Sequence, residues 1–182
     1  MTVLVTGALG NVGSAVVEAL LADDVPVRVA DRDPALLEDR WAGRAEVVRL
    51  DFEDPATFAP VVAGAGPTFL IRPPAISRVG PTLNAFVDAA VVAGVPHVVF
   101  SSVAGAEENR IVPHHRVERH LMAADIGWTM LRPGFFAQNI ATAYRTDIVE
   151  DDRILLPAGD GLVAFVDARD IGAVAARVLV DP

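Results

Sequence analysis

Three glycines near the N-terminus have the spacing of a phosphate-binding turn. Gly7, Gly10 and Gly13 directly follow a short β-branched run and open a stretch with helical periodicity. Glycines lack the Cβ atoms that would hold a phosphate away from the backbone, and the first N–H groups of a helix attract an anion. Asn11 and Val12 stand where the first of these N–H groups would be. The pattern therefore predicts that the chain binds the pyrophosphate of a dinucleotide, the alternative being a plain turn.

Asp31 and Arg32 follow at the end of the next predicted strand. The interval from the glycines is about 20 residues, which is where an acidic residue meets the ribose of a bound dinucleotide. A carboxylate there accepts hydrogen bonds from both ribose hydroxyls and repels a 2′-phosphate, whereas a guanidinium suits a phosphate or stacks on adenine. The charge of Asp31 favours NAD, with NADP as the alternative. An aspartate that merely begins a turn is the other interpretation.

A stiff loop follows the fourth predicted strand. It contains Arg72, Pro73 and Pro74, and the two prolines restrict its backbone. We expect this loop to pass the ribose of the cofactor, with Arg72 close enough to meet a phosphate or an acidic substrate. A rigid turn that carries a solvated arginine is the alternative.

Six short apolar stretches alternate with five stretches of helical periodicity. Because these stretches are apolar throughout and helices separate them, they predict a parallel sheet that is covered on both faces. The fold class is therefore α/β, a Rossmann-like doubly wound parallel sheet with helices on both faces and with ligands at the carboxyl ends of its strands. The predicted strands are residues 3–6, 25–30, 45–50, 68–71, 97–100 and 128–131, and the predicted helices are residues 10–23, 34–41, 55–63, 79–93 and 112–124.

Helix-start signals in the sequence support these elements. Asp33-Pro34 and Asp54-Pro55 each predict a helix start, with an aspartate cap followed by proline at the first helical position. Beyond residue 131 the pattern is looser. It predicts a turn, then a helix over 135–149, strands over 154–156 and 163–166, and a closing helix over 168–179.

Composition limits the functional classes. With 182 residues, a hydrophobic content of 52% and a mean hydropathy of +0.40, the chain suits a single packed domain over residues 1–182. The absence of cysteine excludes disulfides, thiolate nucleophiles and cysteine-bound metals. A net charge of −9 and a pI near 4.8 argue against binding to nucleic acid or to anionic membranes. No apolar run is long enough to span a bilayer and no export signal is visible, so we expect a cytoplasmic protein.

Several segments, taken together, carry a family resemblance. They lie at residues 6–13, 100–102, 118–121, 129–139 and 165–171, and the run Thr-x-Leu-Arg-Pro-Gly-Phe-Phe-x-x-Asn is the most specific of them. The chain resembles the atypical short-chain dehydrogenase/reductases, specifically the NmrA-like NAD(P)-binding proteins. The resemblance implies a Rossmann-like fold with NAD(P), and it places Asp51 and Phe52, which close the third strand, beside the adenine. An acidic cluster that precedes a helix is the alternative for this pair.

Members of this family usually continue well beyond the matched length and build a smaller lobe that covers the substrate. Residues 132–182 then correspond to a partial substrate-side extension, and the chain is either a piece of a longer protein or a naturally short member. In this superfamily, helices equivalent to those at 79–93 and 112–124 often pair between subunits. A homodimer is therefore a further expectation.

Short-chain dehydrogenases normally carry Tyr-x-x-x-Lys on a helix, where the lysine lowers the pKa of the tyrosine and the tyrosine passes a proton to the substrate. When the chain is aligned on Glu118, the lysine position holds His114 and the tyrosine position holds Arg110. The one tyrosine, Tyr144, lies well downstream. The chain therefore departs from the family's pattern, and tyrosine-based reduction is not supported.

His114 is the first candidate for a catalytic role. It flanks the apolar stripe of its helix, and its imidazole can hydrogen-bond the ribose or the substrate. A polar helix start with partly exposed histidines is the alternative. Ser101 and Ser102 match the place where the superfamily keeps a substrate-orienting hydroxyl, although serines also commonly end strands. Pro133 belongs to the loop after the sixth strand, which the resemblance places near the nicotinamide.

The resulting prediction is an NAD(P)H-dependent oxidoreductase that acts on a small hydrophobic quinone-, enone- or iminium-like acceptor. Such acceptors take a hydride without a strong general acid, which suits the absent tyrosine. Two alternatives stay open: an NAD(P)-binding sensor or regulator without turnover, and a redox-neutral cyclase or isomerase on the same fold. The expected partner is the small-molecule substrate, and nucleic acid, membrane and metal are not expected.

Overall fold

Six parallel strands form the central sheet. The computed structural model describes residues 1–154, 159 and 161–181, and within them the sheet has the order β3-β2-β1-β4-β5-β6. Each strand agrees with a predicted one within two residues at either end. The order reverses between β1 and β4, so the predicted doubly wound fold is confirmed. The strands are β1 (Val3–Thr6), β2 (Val27–Asp31), β3 (Glu46–Arg49), β4 (Thr68–Ile71), β5 (His97–Ser101) and β6 (Gly127–Leu131).

Helices connect these strands and cover the sheet. Two of the predicted helices begin irregularly, since a 3₁₀ turn (Pro55–Thr57) leads into the third helix and a π-helical turn (Gly80–Asn84) into the fourth. Among the residues described, no helix is long and apolar enough to cross a membrane. The helices are α1 (Asn11–Ala22), α2 (Pro34–Trp41), α3 (Phe58–Val62), α4 (Ala85–Val92), α5 (Pro113–Ala123), α6 (Gln138–Ala141), α7 (Arg145–Asp151) and α8 (Ala168–Val180).

Both predicted aspartate caps are present. The Asp33 carboxylate accepts hydrogen bonds from the N–H groups of Ala35 and Leu36, at 3.0 and 3.3 Å, and Pro34 occupies the first position of α2. The Asp54 carboxylate accepts from the N–H group of Ala56 at 3.3 Å. These contacts use only neighbouring residues, which is why the sequence pattern predicts them.

The core lies on both faces of the sheet. Along β1, Val3 and Val5 pack into the cluster beneath α1, α2 and α8, whereas Leu4 packs into the opposite cluster beneath α3, α4 and α5. All three side chains are buried. A strand whose alternate residues enter two separate cores must be apolar throughout, and this accounts for the unbroken apolar runs in the sequence.

The predicted helix over 135–149 is wrong. A short strand, β7 (Phe135–Phe136), replaces its start and pairs in parallel with β8 (Phe165–Val166), which shortens the strand predicted over 163–166. The N–H groups of Phe135 and Ala137 donate to the carbonyls of Ala164 and Val166, both at 2.9 Å, so they are not free for a helix. Only α6 and α7 remain helical. Of the strand predicted over 154–156, residues 155 and 156 lie outside the described residues, and residue 154 is not in a strand.

Helix α8 packs directly against α1 at a glycine. A Cβ atom at Gly172 would lie 2.6 Å from the carbonyl carbon of Ala15 and 2.7 Å from its Cβ atom. Such distances are well below van der Waals contact, so no side chain fits between the two helices here. Ile171, Ala175 and Leu179 on α8 are buried in the same core cluster. The closing helix therefore holds α1 in position against the sheet.

We expect Gly172→Ala to lower the free energy of unfolding by about 1 to 3 kcal/mol, because the added methyl group forces the two helices apart. Urea unfolding followed by circular dichroism measures this change. Gly80→Ala is the matched control, since nothing lies within 4 Å of a Cβ atom at Gly80. Equal destabilisation by both substitutions would contradict the close helix contact.

Candidate functional site

A cavity of about 350 Å³ opens at the carboxyl ends of β1, β2, β3 and β4. It lies beside the reversal of strand order between β1 and β4, where ligands bind in open α/β sheets. Its size is within the range of pockets for small molecules and cofactors. Most of the residues predicted to bind a cofactor line it: Gly7, Gly10, Asp31, Arg32, Asp51, Phe52, Arg72 and Pro73.

The glycine turn brings backbone against backbone. Gly7 has φ +64°, and a Cβ atom there would lie 2.5 Å from the Cγ2 atom of Ile71. A Cβ atom at Gly13 would lie 2.1 Å from the carbonyl oxygen of Gly7. The first turn of α1 thus sits directly on the end of β1, an approach that only glycine permits at these two positions.

The start of α1 offers unpaired N–H groups. Within the part of the chain that the structure describes, the N–H groups of Asn11, Val12 and Gly13 donate to no protein acceptor, while Ser14 donates to the carbonyl of Gly10 at 2.9 Å. The first turn contains no acidic side chain. Asn11, Val12 and Gly13 do not line the cavity themselves, but they directly follow Gly10, which does. Donors of this kind, at the positive end of a helix dipole, fit a phosphate group.

A carboxylate and a guanidinium stand together at the end of β2. The Asp31 carboxylate accepts hydrogen bonds from the N–H groups of Arg32, at 2.7 Å, and Leu9, at 3.4 Å. Both Asp31 and Arg32 belong to the cavity wall, and Arg32 is exposed. The two side chains therefore present opposite charges to the same end of the cavity.

The side chain of Phe52 belongs both to the hydrophobic core and to the wall of the cavity. Its ring packs edge-on against Phe86, with centroids 5.4 Å apart, and it is 6% exposed. The remaining edge lines the cavity beside Asp51, whose carboxylate accepts from the N–H group of Glu53 at 3.0 Å. An apolar edge at this point suits a flat ring such as adenine.

Arg72 binds its own loop. Its Nη1 atom donates to the carbonyl oxygens of Pro73, Pro74 and Ile76, at 2.9, 3.0 and 2.6 Å, and its Nε atom donates to His114 Nε2 at 3.3 Å. Burial lowers the pKa of Arg72. The alternative interpretation, a solvated arginine on a rigid turn, does not fit, because the half-buried guanidinium is bound to the loop that it organises.

His114 lies just outside the cavity wall. It is the second residue of α5, is half-buried, and its ring centroid is 6.0 Å from that of Phe100. Burial first, and then the charge of Arg72, lower the pKa of His114 to about 4, against a smaller opposing effect of Glu118. The imidazole is therefore neutral at pH 7.

The two predicted serines are enclosed. Ser101 ends β5, and Ser102 follows it with its hydroxyl donating to Glu118 Oε1 at 2.5 Å. Both are buried, and neither lines the cavity. Pro133 also lies outside the cavity wall, where its carbonyl accepts from the N–H group of Ala104 at 3.0 Å and joins the loops after β5 and β6.

An ion pair between a buried carboxylate and a partly exposed guanidinium lies beneath these loops, and the sequence patterns do not predict it. The Glu118 side chain is 2% exposed and accepts two hydrogen bonds from Arg132, at 2.9 and 2.8 Å. Burial by itself raises the pKa of Glu118, but the hydrogen bonds from Arg132 and Ser102 outweigh burial and hold that pKa below its ordinary value. The signal in the sequence is a carboxylate on the apolar stripe between Val117 and Leu121. Glu118 thereby ties α5 to the ends of β5 and β6.

The position aligned with the family's tyrosine is not helical. Helix α5 begins at Pro113, so Arg110 lies in the exposed loop before it. Tyr144 packs against Phe135, with centroids 5.7 Å apart, in the region beyond β6. The 15 lysine and arginine residues of the sequence are all arginines, so no lysine is present. Among the described residues, no cluster of three or more His, Asp or Glu could hold a metal ion.

We expect Glu118→Gln to lower the free energy of unfolding by about 1.5 to 3 kcal/mol at pH 7, because the hydrogen bonds that Arg132 and Ser102 donate to the buried Glu118 side chain then lose a charged acceptor. The pKa of Glu118 is lower in the folded chain than in the unfolded chain, so the stabilisation is present above the ordinary value of 4.5 and is lost as the pH falls through the folded-state pKa. Urea unfolding at pH 7 and pH 4 measures both effects.

Glu46→Gln is the matched control for this prediction. Glu46 pairs with Arg28 at 2.9 Å, but its side chain is 51% exposed, so the change should stay below about 1 kcal/mol. Similar losses in the two variants would show that burial of Glu118 does not strengthen its pairing.

A family model and individual known proteins both match nearly the whole chain. Residues 1–182 match the NmrA-like family. The chain is 32% identical to the NAD(P)H azoreductase of Xenophilus azovorans over 184 residues, which cover 99% of this chain and 64% of the relative. It is 28% identical to quinone oxidoreductase 2 of Escherichia coli, over 97% of this chain and 62% of the relative.

Two solved structures share the fold closely. The NADPH-dependent quinone oxidoreductase of Escherichia coli, complexed with NADPH, superposes with a TM-score of 0.86 at 28% identity, over 100% of this chain and 65% of that one. The triphenylmethane reductase of Citrobacter, complexed with NADP(H), superposes with a TM-score of 0.85 at 26% identity. The match covers 100% of this chain and 66% of that one. The chain thus spans less than two thirds of the length of these proteins. The predicted resemblance is confirmed: the chain belongs to the NmrA-like family.

Proposed function

We propose that this chain binds NAD(P)H in the cavity at the carboxyl ends of β1 to β4 and transfers hydride to a small, hydrophobic, electron-poor acceptor. The observation that carries the proposal is the glycine turn, where three unpaired N–H groups follow a residue of the cavity wall. These donors match the negative charge and the small size of a pyrophosphate. Every helix start has unpaired N–H groups, but here they stand beside a cavity at the carboxyl ends of the strands, on a turn whose glycines admit no side chain.

The residues of the cavity fit the parts of a dinucleotide in order. The N–H groups at the start of α1 would hold the pyrophosphate, Asp31 or Arg32 would meet the adenosine ribose, and the edge of Phe52 would meet the adenine. The reduced nicotinamide, when bound, supplies the hydride. Because β4, β5 and β6 are neighbours in the sheet, the nicotinamide end would extend toward the loops after β5 and β6.

The acceptor class follows from the groups near those loops. The Ser102 hydroxyl and the Arg132 guanidinium are both bound to Glu118, and the imidazole of His114 is neutral. None of the three is a strong proton donor at pH 7. An acceptor such as a quinone, enone or iminium stabilises the incoming electron pair by conjugation, and a water molecule can supply its proton. The names of the relatives, which reduce quinones and azo and triphenylmethane dyes, support this class.

We expect tighter binding of NADH than of NADPH, because Asp31 repels a 2′-phosphate. Asp31→Asn should shift the ratio of the two dissociation constants toward NADPH by about tenfold, equivalent to about 1.4 kcal/mol of repulsion. Arg32→Gln should shift the ratio in the opposite direction. Titration of nucleotide fluorescence measures both constants.

Glu53→Gln is the control for cofactor preference, because Glu53 also lines the cavity but follows β3 rather than β2. It removes the same charge and should leave the ratio unchanged. A ratio that responds equally to Asp31→Asn and Glu53→Gln would mean that the net charge of the cavity, and not the ribose contact, sets the preference.

We expect oxidation of NADH or NADPH, followed by absorbance, with at least one member of a panel comprising a naphthoquinone, an enone, an azo dye and a cationic triphenylmethane dye. Gly13→Ala should lose binding and turnover together, because its Cβ atom would overlap the carbonyl of Gly7. Cofactor binding without turnover of any acceptor would overturn the enzymatic proposal and favour an NAD(P)-binding sensor.

A further inference from the structure

The contact between Arg72 and His114 fixes the position of a proton. The Nε atom of Arg72 lies 3.3 Å from His114 Nε2, and the N–H group of a guanidinium can only donate. His114 Nε2 must therefore be the acceptor and carry no proton. A neutral imidazole has one N–H group, so that group is at Nδ1.

Arg72 cannot easily release this contact. Its Nη1 atom donates to three carbonyl oxygens of the loop after β4, which hold the plane of the guanidinium and direct Nε at α5. Because a guanidinium stays protonated at all ordinary pH values, Arg72 presents a permanent donor and a permanent positive charge to Nε2. Both oppose protonation of the imidazole there.

The other charged group near His114 is already paired. Glu118, one helical turn further along α5, raises the pKa of His114, but its oxygens accept from Arg132 and Ser102. Burial and Arg72 lower that pKa and prevail, leaving it at about 4. The charge state and the tautomer of His114 thus rest on two separate elements, the loop after β4 and the body of α5.

The Nδ1 atom of His114 is the free side of the ring. Among the described residues, no protein group accepts a hydrogen bond from Nδ1, and the one buried side-chain atom without a partner is Asn84 Oδ1. Since Nδ1 has no partner and is not among the enclosed atoms, it reaches solvent. Arg72, which holds the opposite side of the ring, lines the cavity.

We propose that His114 is a fixed hydrogen-bond donor, through Nδ1–H, to a carbonyl oxygen of the acceptor, and that Arg72 is the positioning residue that sets its tautomer. This inference rests on the proposed function. His114 donates a hydrogen bond and keeps its proton, so the proton of the reduced product comes from water. A quinone or enone has an oxygen lone pair that accepts this hydrogen bond, whereas an iminium or a cationic triphenylmethane dye has none at the reacting centre. The site would therefore favour carbonyl acceptors.

The tautomer is measured first, in the protein without cofactor. Long-range ¹H–¹⁵N NMR spectra of the four histidines, with His114 assigned from the signal lost in His114→Gln, should show one proton at Nδ1 and no titration between about pH 5.5 and 8. A proton at Nε2, or titration near the ordinary value of 6.5, would overturn the inference whether or not the protein turns over any acceptor.

Arg72→Met removes the donor and the charge together. We expect His114 to populate both tautomers and its pKa to rise toward the ordinary value, because burial alone then opposes protonation. Arg78→Met is the matched control, since Arg78 follows the same loop and is exposed. If Arg72→Met disturbs the fold, the wild-type spectrum still tests the tautomer.

Kinetics of His114 variants identify the acceptor of the hydrogen bond. The amide nitrogen of Asn takes the place of Nδ1 and that of Gln the place of Nε2, so His114→Gln should lose about tenfold in kcat/KM with a naphthoquinone while His114→Asn retains most of it. With a cationic triphenylmethane dye, the loss in His114→Gln should be clearly smaller than with the naphthoquinone, because the reacting centre of the dye has no oxygen to accept the hydrogen bond. Equal losses with both acceptors, together with weaker cofactor binding, would assign the donor to the cofactor ribose and contradict the proposal.

Discussion

Contact between backbones around α1 is the constraint on which the rest of the structure depends. The first turn of α1 rests on the carbonyl of Gly7, and its middle meets α8 at Gly172. Side chains at Gly13 or Gly172 would push the helix away from the sheet or from its neighbour. With α1 held at this distance, its first N–H groups remain beside the cavity at the end of β1. The affinity for an anion therefore depends on positions where side chains are absent.

A second set of contacts organises the other half of the site. Glu118 ties α5 to β5 and β6 through Ser102 and Arg132, and Arg72 ties the same helix to the loop after β4. Both ties are charge-assisted hydrogen bonds in partly or fully buried surroundings, where geometry is enforced more strictly than at the surface. They commit most of the polar groups near the proposed nicotinamide end to structural roles. Among the described residues, the half-buried imidazole of His114 is left beside these groups, with its Nε2 atom bound to Arg72.

Whether a prediction was confirmed depends on how far apart in the sequence the interacting residues lie. The six strands, most helices and both aspartate caps depend on periodicity or on neighbouring residues, and they were predictable. The helix expected over 135–149 fails because Phe135 and Phe136 pair with β8, 30 positions further along the chain by the register of Phe135 with Phe165. The role of Arg72 is similar, since its partner His114 is 42 positions away. Pairing at this distance leaves no periodic signal in a single sequence.

The sequence by itself determined the doubly wound sheet, the glycine turn and the placement of Asp31, Asp51 and Arg72 at strand ends, because local patterning dictates where strands stop and parallel strands stop at one edge. It also named His114 as the residue at the family's lysine position. Only the tertiary structure decided what these groups can do. In the folded chain Arg72 binds the carbonyls of its own loop, Ser102 is enclosed with Glu118, and the imidazole of His114 lies against the guanidinium of Arg72. Such properties depend on burial and on partners from distant segments, which exist only once the chain has folded.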